Sequence, residues 1–575
     1  MRLTLGVLLA AVLTGIDARA AEKAPPLARS VEISITNVDV VVTDAKGRPV
    51  TDLTPLDFIV TQEGKAQVIS NFSFVRNPPA AATPAATAEE APPGAVSTPV
   101  AAAPGPAGAR IVVLLDLLHM TAGDRNRVVD SLAAFLPKTV GPRVEVQIVT
   151  WDRALRARGS FTNDVRVLTA VLSALKDETA LGDDPNREKN RLYGVIDNAL
   201  TAPAAYRSVA IDQAISTVRG WCDSQVSDLD STLEAARAVA GTISGVEGRK
   251  ILVLATESLS PAPGRDLWDY FLQSVDRVTR AGTASASAAN LNPLTWKDFD
   301  RFASFQRLAD AANGAGVSLF MVDAAGLTGD PLLSAEFAGT GGGAAEVNSL
   351  ASLDTGSALQ FLASETGGAA IVGRNNLTLA LESLESSWTA YYSLGFESST
   401  SKPGIARSIR VRVKRPGVQV LTRRNIVERT PEQKVADAVL SGVFFPKTLN
   451  PLHASLKIGT PKLSGKMWLV PLEFKVPWDK ITLIPQAGRA KGGLLFTAVA
   501  SAPDGRISPV TTEHAPIDIP ESDLATLSGK VFAYAATLKV RPGPQTFSTG
   551  LTDEISRLTS YVQPNVLIGD TPAKR

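Results

Sequence analysis

The chain has 575 residues, of which 45% are hydrophobic and 20% are charged, so at roughly 150 residues per domain it holds about three or four domains. Its 58 basic and 57 acidic residues give a net charge of +1, which excludes the strongly positive field that a nucleic-acid partner needs. One cysteine and three scattered histidines, with no HExxH or GxSxG string, exclude an intramolecular disulfide and the commonest hydrolase signatures, so a binding protein is expected and an enzyme is not.

Residues 1–20 have the pattern of a secretory signal peptide. Arg2 precedes an apolar stretch at 3–12, and the segment ends in Ala-Arg-Ala at 18–20, which is the order of charge, apolar core and small-residue cleavage site. No later segment reaches the roughly 18 uninterrupted apolar residues of a transmembrane helix. We therefore expect a periplasmic or secreted protein with no transmembrane segment in the mature chain. An uncleaved anchor is the alternative.

Residues 29–76 are predicted to form β-strands, because Val38, Val40 and Val42 alternate with other residues before a turn at 44–47. Residues 77–109 are rich in Pro and Ala and have few large apolar side chains. Such a segment cannot bury enough surface to offset its ordering entropy, so it is predicted to be an extended linker.

Residues 110–388 are predicted to form an α/β domain with a doubly wound sheet. Mostly apolar runs at 111–115, 144–149, 251–255 and 317–322 are typical of parallel strands that are buried on both faces. Helical patterns lie between the runs. Their predicted buried faces are Val128, Leu132, Phe135 and Leu136; Val165, Leu168, Leu172 and Leu175; and Leu267, Phe271, Leu272 and Val275.

A long helical insertion is predicted at 176–230. Insertions of this kind often carry recognition surfaces. Trp221 and Cys222 lie within it and are expected to pack against the domain, with an exposed partner-binding Trp221 as the alternative.

Two carboxylates are expected at one edge of the sheet. Asp116 directly follows the first strand and Glu257 follows the run at 251–255, and ligands of doubly wound sheets collect at the carboxyl ends of strands. Thr162, before the helix that opens at Asp164, is expected to bring a hydroxyl to the same edge. The binding rim predicted around these residues consists of His119, Thr121, Asp124 and Ser258.

The remaining chain is predicted to be β-structure. Residues 389–428 contain alternating strands, in which Arg410, Arg412 and Lys414 form a solvated face. We expect these strands to complete one Ig-like sandwich with residues 29–76, so that the α/β domain is inserted between its halves. Residues 433–575 are predicted to form a second, C-terminal sandwich.

Several strings of the sequence resemble a known family. The strings at 42–58, 248–259, 312–327, 362–368 and 391–396 are similar, in order, to signatures of the VWFA-related family of acidobacterial-type secreted proteins. The resemblance covers roughly residues 30 to 428 and implies a von Willebrand factor A-type domain within a secreted protein, without a defined activity.

The resemblance also implies a metal-binding motif, which this sequence has only in part. Adhesive A-type domains hold Mg²⁺ at a DxSxS motif, whereas this sequence has DLLHM at 116–120. Leu118 and Met120 replace the two serines and offer no hard oxygen. One hypothesis is a degenerate Mg²⁺ or Mn²⁺ site formed by Asp116, Thr162 and Glu257. The other, which the missing hydroxyls favour, is that the carboxylates are solvated or accept backbone N–H bonds.

Three functions follow from this sequence. The first is an exported protein that binds a protein or cell-surface partner of unknown identity, with the degenerate metal site. The second is a metal-independent envelope scaffold that binds through 176–230. The third is an uncharacterised hydrolase that uses Asp116, His119 and Glu257. His119 as a nitrogen ligand would favour Zn²⁺ or Mn²⁺.

Overall fold

The structure is a computed structural model that describes residues 35–76, 108–179, 181–257, 259–280, 299–326, 343–398, 404–502 and 506–568. The expected signal peptide at 1–20, the start of the first β-segment at 29–34, linker residues 77–107 and Ser258 lie outside the described residues.

The first strands of the described residues belong to two different sheets. These are β1 (Ile35–Asp44), β2 (Phe58–Gln62), β3 (Lys65–Gln67) and β4 (Ile69–Arg76). Their partners come from a segment more than 300 residues later, because β1 and β2 each pair with strands between 390 and 421.

The next module is a mixed α/β domain. Its elements in chain order are β5 (Ala109–Asp116), α1 (Ala122–Thr139), β6 (Val144–Trp151), β7 (Leu155–Ala157), α2 (Val165–Leu175), α3 (Asp183–Thr201), α4 (Arg207–Thr242), β8 (Arg249–Thr256), α5 (Arg265–Arg280), α6 (Phe302–Ala315), β9 (Val317–Asp323), α7 (Gly343–Thr366), β10 (Ala370–Ile371) and α8 (Leu377–Thr389).

The strand order of this domain is that of a doubly wound sheet. In the part of the chain that the structure describes, six strands lie in the order β10-β9-β8-β5-β6-β7. Only β7, at the edge, pairs antiparallel with its neighbour; the other four pairings are parallel. The order reverses beside β5, and such a reversal is where these sheets place their ligand sites.

The continuous apolar run of β5 is explained by helices on both faces of the sheet. Ile111 and Val113 pack into a core with α1, α2 and α8, whereas Val112 and Leu114 pack into a second core with α4, α6 and α7. Each strand residue therefore has an apolar neighbour whichever way it points.

Helix α4 is too long for the sheet it covers. Its 36 residues span about 54 Å at 1.5 Å per residue, whereas the 8 residues of β8 span about 26 Å. Only its second half packs on the sheet, since Leu229, Leu233 and Val239 belong to that core. Its first half forms a separate core with α3 and α5 that includes Val218, buried Cys222 and partly buried Trp221. We call α3, the first half of α4 and α5 the helical projection.

Two sequence expectations change in this region. Helix α4 crosses the expected insertion boundary at 230 without interruption, so the insertion and the domain share one rigid helix. Leu272, expected on the buried face of α5, is 38% exposed. Position 272 follows Phe271 by about 100° of helical rotation, which turns it away from the face shared by Leu267 and Phe271.

The strands after α8 return to the first two sheets. They are β11 (Ala390–Glu397), β12 (Ala406–Val413), β13 (Val418–Leu421) and β14 (Asn425–Val427). The sheets have the orders β13-β1-β11-β4 and β14-β12-β2-β3. They share one apolar core, in which Val40 lies opposite Tyr392 and packs with Phe58 and Val411. The α/β domain is thus inserted into a β-sandwich.

The C-terminal module is a second sandwich preceded by a helix. Its elements are α9 (Pro431–Gly442), β15 (Ser455–Ile458), β16 (Lys462–Ser464), β17 (Met467–Pro477), β18 (Ile484–Gln486), β19 (Arg489–Ser501), β20 (Thr511–Pro520), α10 (Leu524–Leu527), β21 (Val531–Val540), β22 (Gly543–Asp553), β23 (Thr559–Val562) and β24 (Asn565–Ile568). Strands β17 and β21 face β19 and β20 across a common core.

A search of the described helices for a membrane-crossing segment finds none of sufficient length and hydrophobicity.

Tyr392 ties the two halves of the first sandwich together. Its ring lies 5.2 Å from the ring centroid of Phe58, its hydroxyl donates to the carbonyl of Val50 at 2.9 Å and it accepts from the Leu53 amide at 3.1 Å. We expect Tyr392→Phe to lower the free energy of unfolding by about 1–3 kcal/mol, because the buried Leu53 amide loses its acceptor. Urea unfolding measures this.

The matched control is Tyr206→Phe, since Tyr206 is 70% exposed. Equal midpoints for the two variants would show that the Tyr392 hydroxyl contributes nothing to the closure of the sandwich.

Candidate functional site

Asp116 ends β5 at the carboxyl edge of the sheet, and its carboxylate is fully satisfied within the chain. Oδ2 accepts from the Thr256 hydroxyl at 2.8 Å and lies 2.7 Å from Nδ1 of His119. Oδ1 accepts from the backbone amides of Leu118 at 3.2 Å and His119 at 3.3 Å. The residue is 0% exposed, so these four partners take the place that solvent would otherwise occupy.

The loop after Asp116 is packed against the protein. Leu118 and Met120 are 2% and 0% exposed, so the side chains that stand in the serine positions are core groups. The start of the helical projection covers this loop, because the Gly182 amide donates to the Met120 carbonyl at 3.1 Å. A Cβ at Gly182 would lie 2.3 Å from the His119 carbonyl oxygen, so only glycine allows this approach.

His119 forms a buried ion pair with Asp116. Burial by itself lowers the pKa of the imidazole, but the charge and hydrogen bond of Asp116 outweigh it, with Asp228 and Glu257 adding to the same effect. The net result is a His119 pKa above its ordinary value, which favours the imidazolium form. The Nδ1 atom of His119, 2.7 Å from Oδ2, therefore occupies a position on the carboxylate that a metal ion would need.

The accessible part of this edge lies around Glu257. Its Oε2 accepts from the Thr121 amide at 2.9 Å, and Thr121 donates its hydroxyl to Asp124 at 2.7 Å while capping α1. Burial raises the pKa of Glu257 to about 8. The Thr121 amide opposes this shift, whereas Asp124, within hydrogen-bonding distance, and Asp323 add to it. Thr121, Asp124 and Glu257, which we call the acidic rim, are partly exposed.

Sequence reasoning missed two members of this edge. Asp323 ends β9 and accepts from the amides of Ala325 and Gly373, and burial raises the pKa of its carboxyl. Arg127 bonds Asp124 at 2.5 Å and also contacts the Ala324 carbonyl. The rule that identified Asp116 and Glu257, an acidic residue directly after an apolar strand, also applies to Asp323. No local signal identified Arg127.

Thr162 does not join this edge. Its backbone bridges Val146, with N–O distances of 2.9 and 3.0 Å, and Val146 is level with Ile111 in the sheet. Asp116 is five residues further along β5, about 16 Å away at about 3.3 Å per residue. The Thr162 hydroxyl accepts from the Asp164 amide instead. It lies near the amino end of β6, because the chain reverses between β6 and β7 and then runs back alongside β6.

These residues do not fit the Mg²⁺ or Mn²⁺ that the resemblance implies. A hard hexacoordinate ion needs oxygens that can turn toward it, whereas Asp116 is buried and bonded, Leu118 and Met120 face the core, and Thr162 lies at the other edge. Within the described residues no group of three or more His, Cys, Asp or Glu side chains is arranged to hold a metal ion.

Comparisons with known proteins add little to this picture. No family model matches the chain. No curated protein matches it.

Solved structures give low-scoring matches. The vWF domain of the type V pili tip protein Mfa5 from Porphyromonas gingivalis matches at 12% identity and a TM-score of 0.22, covering 49% of this chain and 95% of that chain. Three N-terminal domains of the same protein match at 8% identity and a TM-score of 0.22, covering 95% and 79%. A Bacteroides uniformis beta-glucuronidase matches at 13% identity and a TM-score of 0.15, covering 34% of this chain and 20% of that chain.

The raised pKa of Glu257 predicts a pH-dependent effect of substitution. The pKa of Glu257 is higher in the folded than in the unfolded state. The stability that its protonation contributes is therefore fully present at pH values below the ordinary glutamate pKa of 4.5 and is lost as the pH rises through about 8. We expect Glu257→Gln to change stability little near about pH 5 and to stabilise by on the order of 1–2 kcal/mol near about pH 9. Urea unfolding at both pH values measures this.

Glu521→Gln is the control, because Glu521 is exposed in the C-terminal module. A destabilising Glu257→Gln at the higher pH would contradict the repulsion between Glu257 and its acidic neighbours.

Proposed function

We propose that this chain is an exported von Willebrand factor A-type protein that binds a protein or cell-surface partner without a metal ion. The observation that carries the proposal is the bonding of Asp116. Its carboxylate is buried and accepts from His119, Thr256 and two backbone amides. It is therefore not free to hold a metal ion whose coordination shell an acidic group of a partner would complete.

Two features support the A-type assignment. The parallel sheet has a single antiparallel edge strand among the described strands, β7, and the strings at 248–259 and 312–327 that carry the resemblance contain β8 and β9. Export is supported by the charge, apolar core and small-residue order at 1–20.

The helical projection is the surface that we assign to partner binding. Helix α4 passes the carboxyl edge of the sheet on its way to the amino end of β8, so its first half extends beyond the edge where doubly wound folds bind ligands. Tyr206 and Val209, at the start of α4, are 70% and 56% exposed. Tyrosine is among the residues enriched in binding hot spots, and Val209 adds exposed apolar surface three residues further along the chain.

Recognition is also favoured over catalysis by the placement of Asp116 and His119. A general acid or base must reach the proton it transfers, whereas Asp116 is 0% and His119 8% exposed. Their contact with each other therefore supports the loop after β5 and leaves the acidic rim as the solvent-facing part of the edge.

Metal independence gives the first test of this proposal. We expect calorimetric titration of the mature protein with Mg²⁺ and with Mn²⁺ at millimolar concentration to give no binding heat beyond dilution, because the Asp116 oxygens already have donors. Asp116→Ala is the control. Heat that is present in the wild type and vanishes in Asp116→Ala would restore the degenerate metal site.

Partner capture gives the second test. Using the full mature chain as bait with an envelope fraction, we expect the same bands with and without EDTA, and at least about tenfold less captured material for the double variant Tyr206→Ser, Val209→Ser. Leu567→Ser is the matched control, since Leu567 is 67% exposed on the C-terminal sandwich. Loss of capture in EDTA, or equal loss in the control, would contradict the proposal.

A further inference from the structure

A second site lies at the opposite, amino edge of the parallel sheet. Arg249 begins β8 and Glu257 follows it, so the two edges are about 25 Å apart. Here the sheet meets the first sandwich across a cavity of ≈ 470 Å³, a volume typical of small-molecule sites. The walls include Asp39, Ser73, Lys250, Tyr391, Ser393 and Arg423.

Arg249 is buried at this junction without an acceptor. It is 2% exposed, and no group of the described residues accepts a hydrogen bond from its Nε. Its guanidinium carbon lies 5.2 Å from the ring centroid of Tyr391, which lines the cavity. A buried guanidinium with an unpaired N–H donor is costly unless an anion compensates it.

Arg249 thus lies behind the wall formed by Tyr391, and two other cations, Lys250 and Arg423, line the cavity itself. A Cβ at Gly316 would lie 3.3 Å from Nζ of Lys250 and 3.5 Å from Nη1 of Arg423, so the two groups are neighbours. Burial, with the adjacent charge of Arg423, lowers the pKa of Lys250 to about 8. Burial likewise lowers the pKa of Arg423. Their hydrogen bonds go to neutral backbone carbonyls, those of Ser244, Asn313 and Gly316.

The sandwich contributes a row of small polar groups. Asp39 lies opposite Ser393 on the next strand, and Ser393 lies opposite Ser73 on the one after. These positions alternate with the core residues of the sandwich, so they belong to the face turned to the α/β domain. Burial raises the pKa of the adjacent Tyr391 to about 12, so this wall carries neutral hydroxyl donors.

The charges around the cavity do not balance. Asp39 is the main opposite charge that acts on Arg249, Lys250 and Arg423. Glu247 lines the outer part and is exposed. A contiguous cavity of ≈ 430 Å³ has further charged walls, which are Arg429, Lys434, Lys447, Glu428 and Asp437; Arg429 and Asp437 pair with each other at 3.5 Å. The walls of the first cavity thus carry two cations, Lys250 and Arg423, against two acids, Asp39 and Glu247. The excess positive charge comes from Arg249, which is buried beside Tyr391.

We propose that this junction binds a small organic oxyanion, whose carboxylate or phosphate group is held by Lys250 and Arg423 and attracted by the nearby charge of Arg249. Its uncharged part lies against Tyr391 and the serine row. Guanidinium groups suit planar and tetrahedral oxyanions because they offer paired N–H donors. Occupation joins the α/β domain to the sandwich, since the ligand contacts both.

The test measures binding of defined anions to the full mature chain. Thermal unfolding is followed in sodium phosphate, sodium citrate and sodium chloride at equal ionic strength, and calorimetry gives the dissociation constants. We expect a saturable rise in melting temperature with phosphate, with citrate or with both, and none with chloride. The phosphate and citrate arms distinguish a phosphate-bearing from a carboxylate-bearing ligand.

Substitutions separate this site from general ionic effects. We expect Arg249→Met and Lys250→Met each to raise the dissociation constant at least about tenfold, and the exposed Arg412→Met to leave it unchanged. Without anion, Arg249→Met is expected to match or exceed the wild type in melting temperature, because it removes a buried charge that lacks an acceptor.

Equal melting temperatures in phosphate, citrate and chloride would overturn the proposal, as would an anion effect that persists in Lys250→Met. The Lys250 variant decides the matter by itself if Arg249→Met does not fold.

Discussion

The structure depends on the antiparallel pairing of β1 with strands that follow it by more than 300 residues. Strand β1 lies between β11 and β13, so both ends of the α/β domain are held at the same sandwich. The hydrogen-bonded ladder and the aromatic packing around Tyr392 fix the outward face of that sheet against the amino edge of the parallel sheet. Every feature of the junction, including the burial of Arg249, follows from this closure.

The two edges of the parallel sheet bury groups of opposite charge, a carboxylate at one edge and cations at the other. At the carboxyl edge Asp116 receives its counter-charge and its donors from the chain itself, through His119 and Thr256. At the amino edge Arg249 and Lys250 are buried by the sandwich with few acids nearby. A buried charge is tolerated only with partners. Asp116 finds its partners within the chain, whereas the cations of the amino edge favour an anion from outside.

Much of the architecture was predictable because its signals are local. The apolar runs at 111–115 and 251–255 indicated strands with helices on both faces, and the alternation of Val38 and Val40 indicated a one-sided sheet. The helical projection was less accessible, because periodicity does not show that α4 continues past 230. The length of that helix depends on what its two halves pack against. The exposure of Leu272, by contrast, follows from its position about 100° around the helix from Phe271.

The sequence by itself determined the residue types at the strand ends, and therefore that Asp116 and Glu257 share one edge, because parallel strands all point the same way. Only the tertiary structure decided what those carboxylates contact. Thr162 is close to them in the expected motif but lies about 16 Å away in register. His119, predicted as part of the binding rim, is instead buried against Asp116. Burial and hydrogen bonding arise from segments distant along the chain, and no local pattern encodes them.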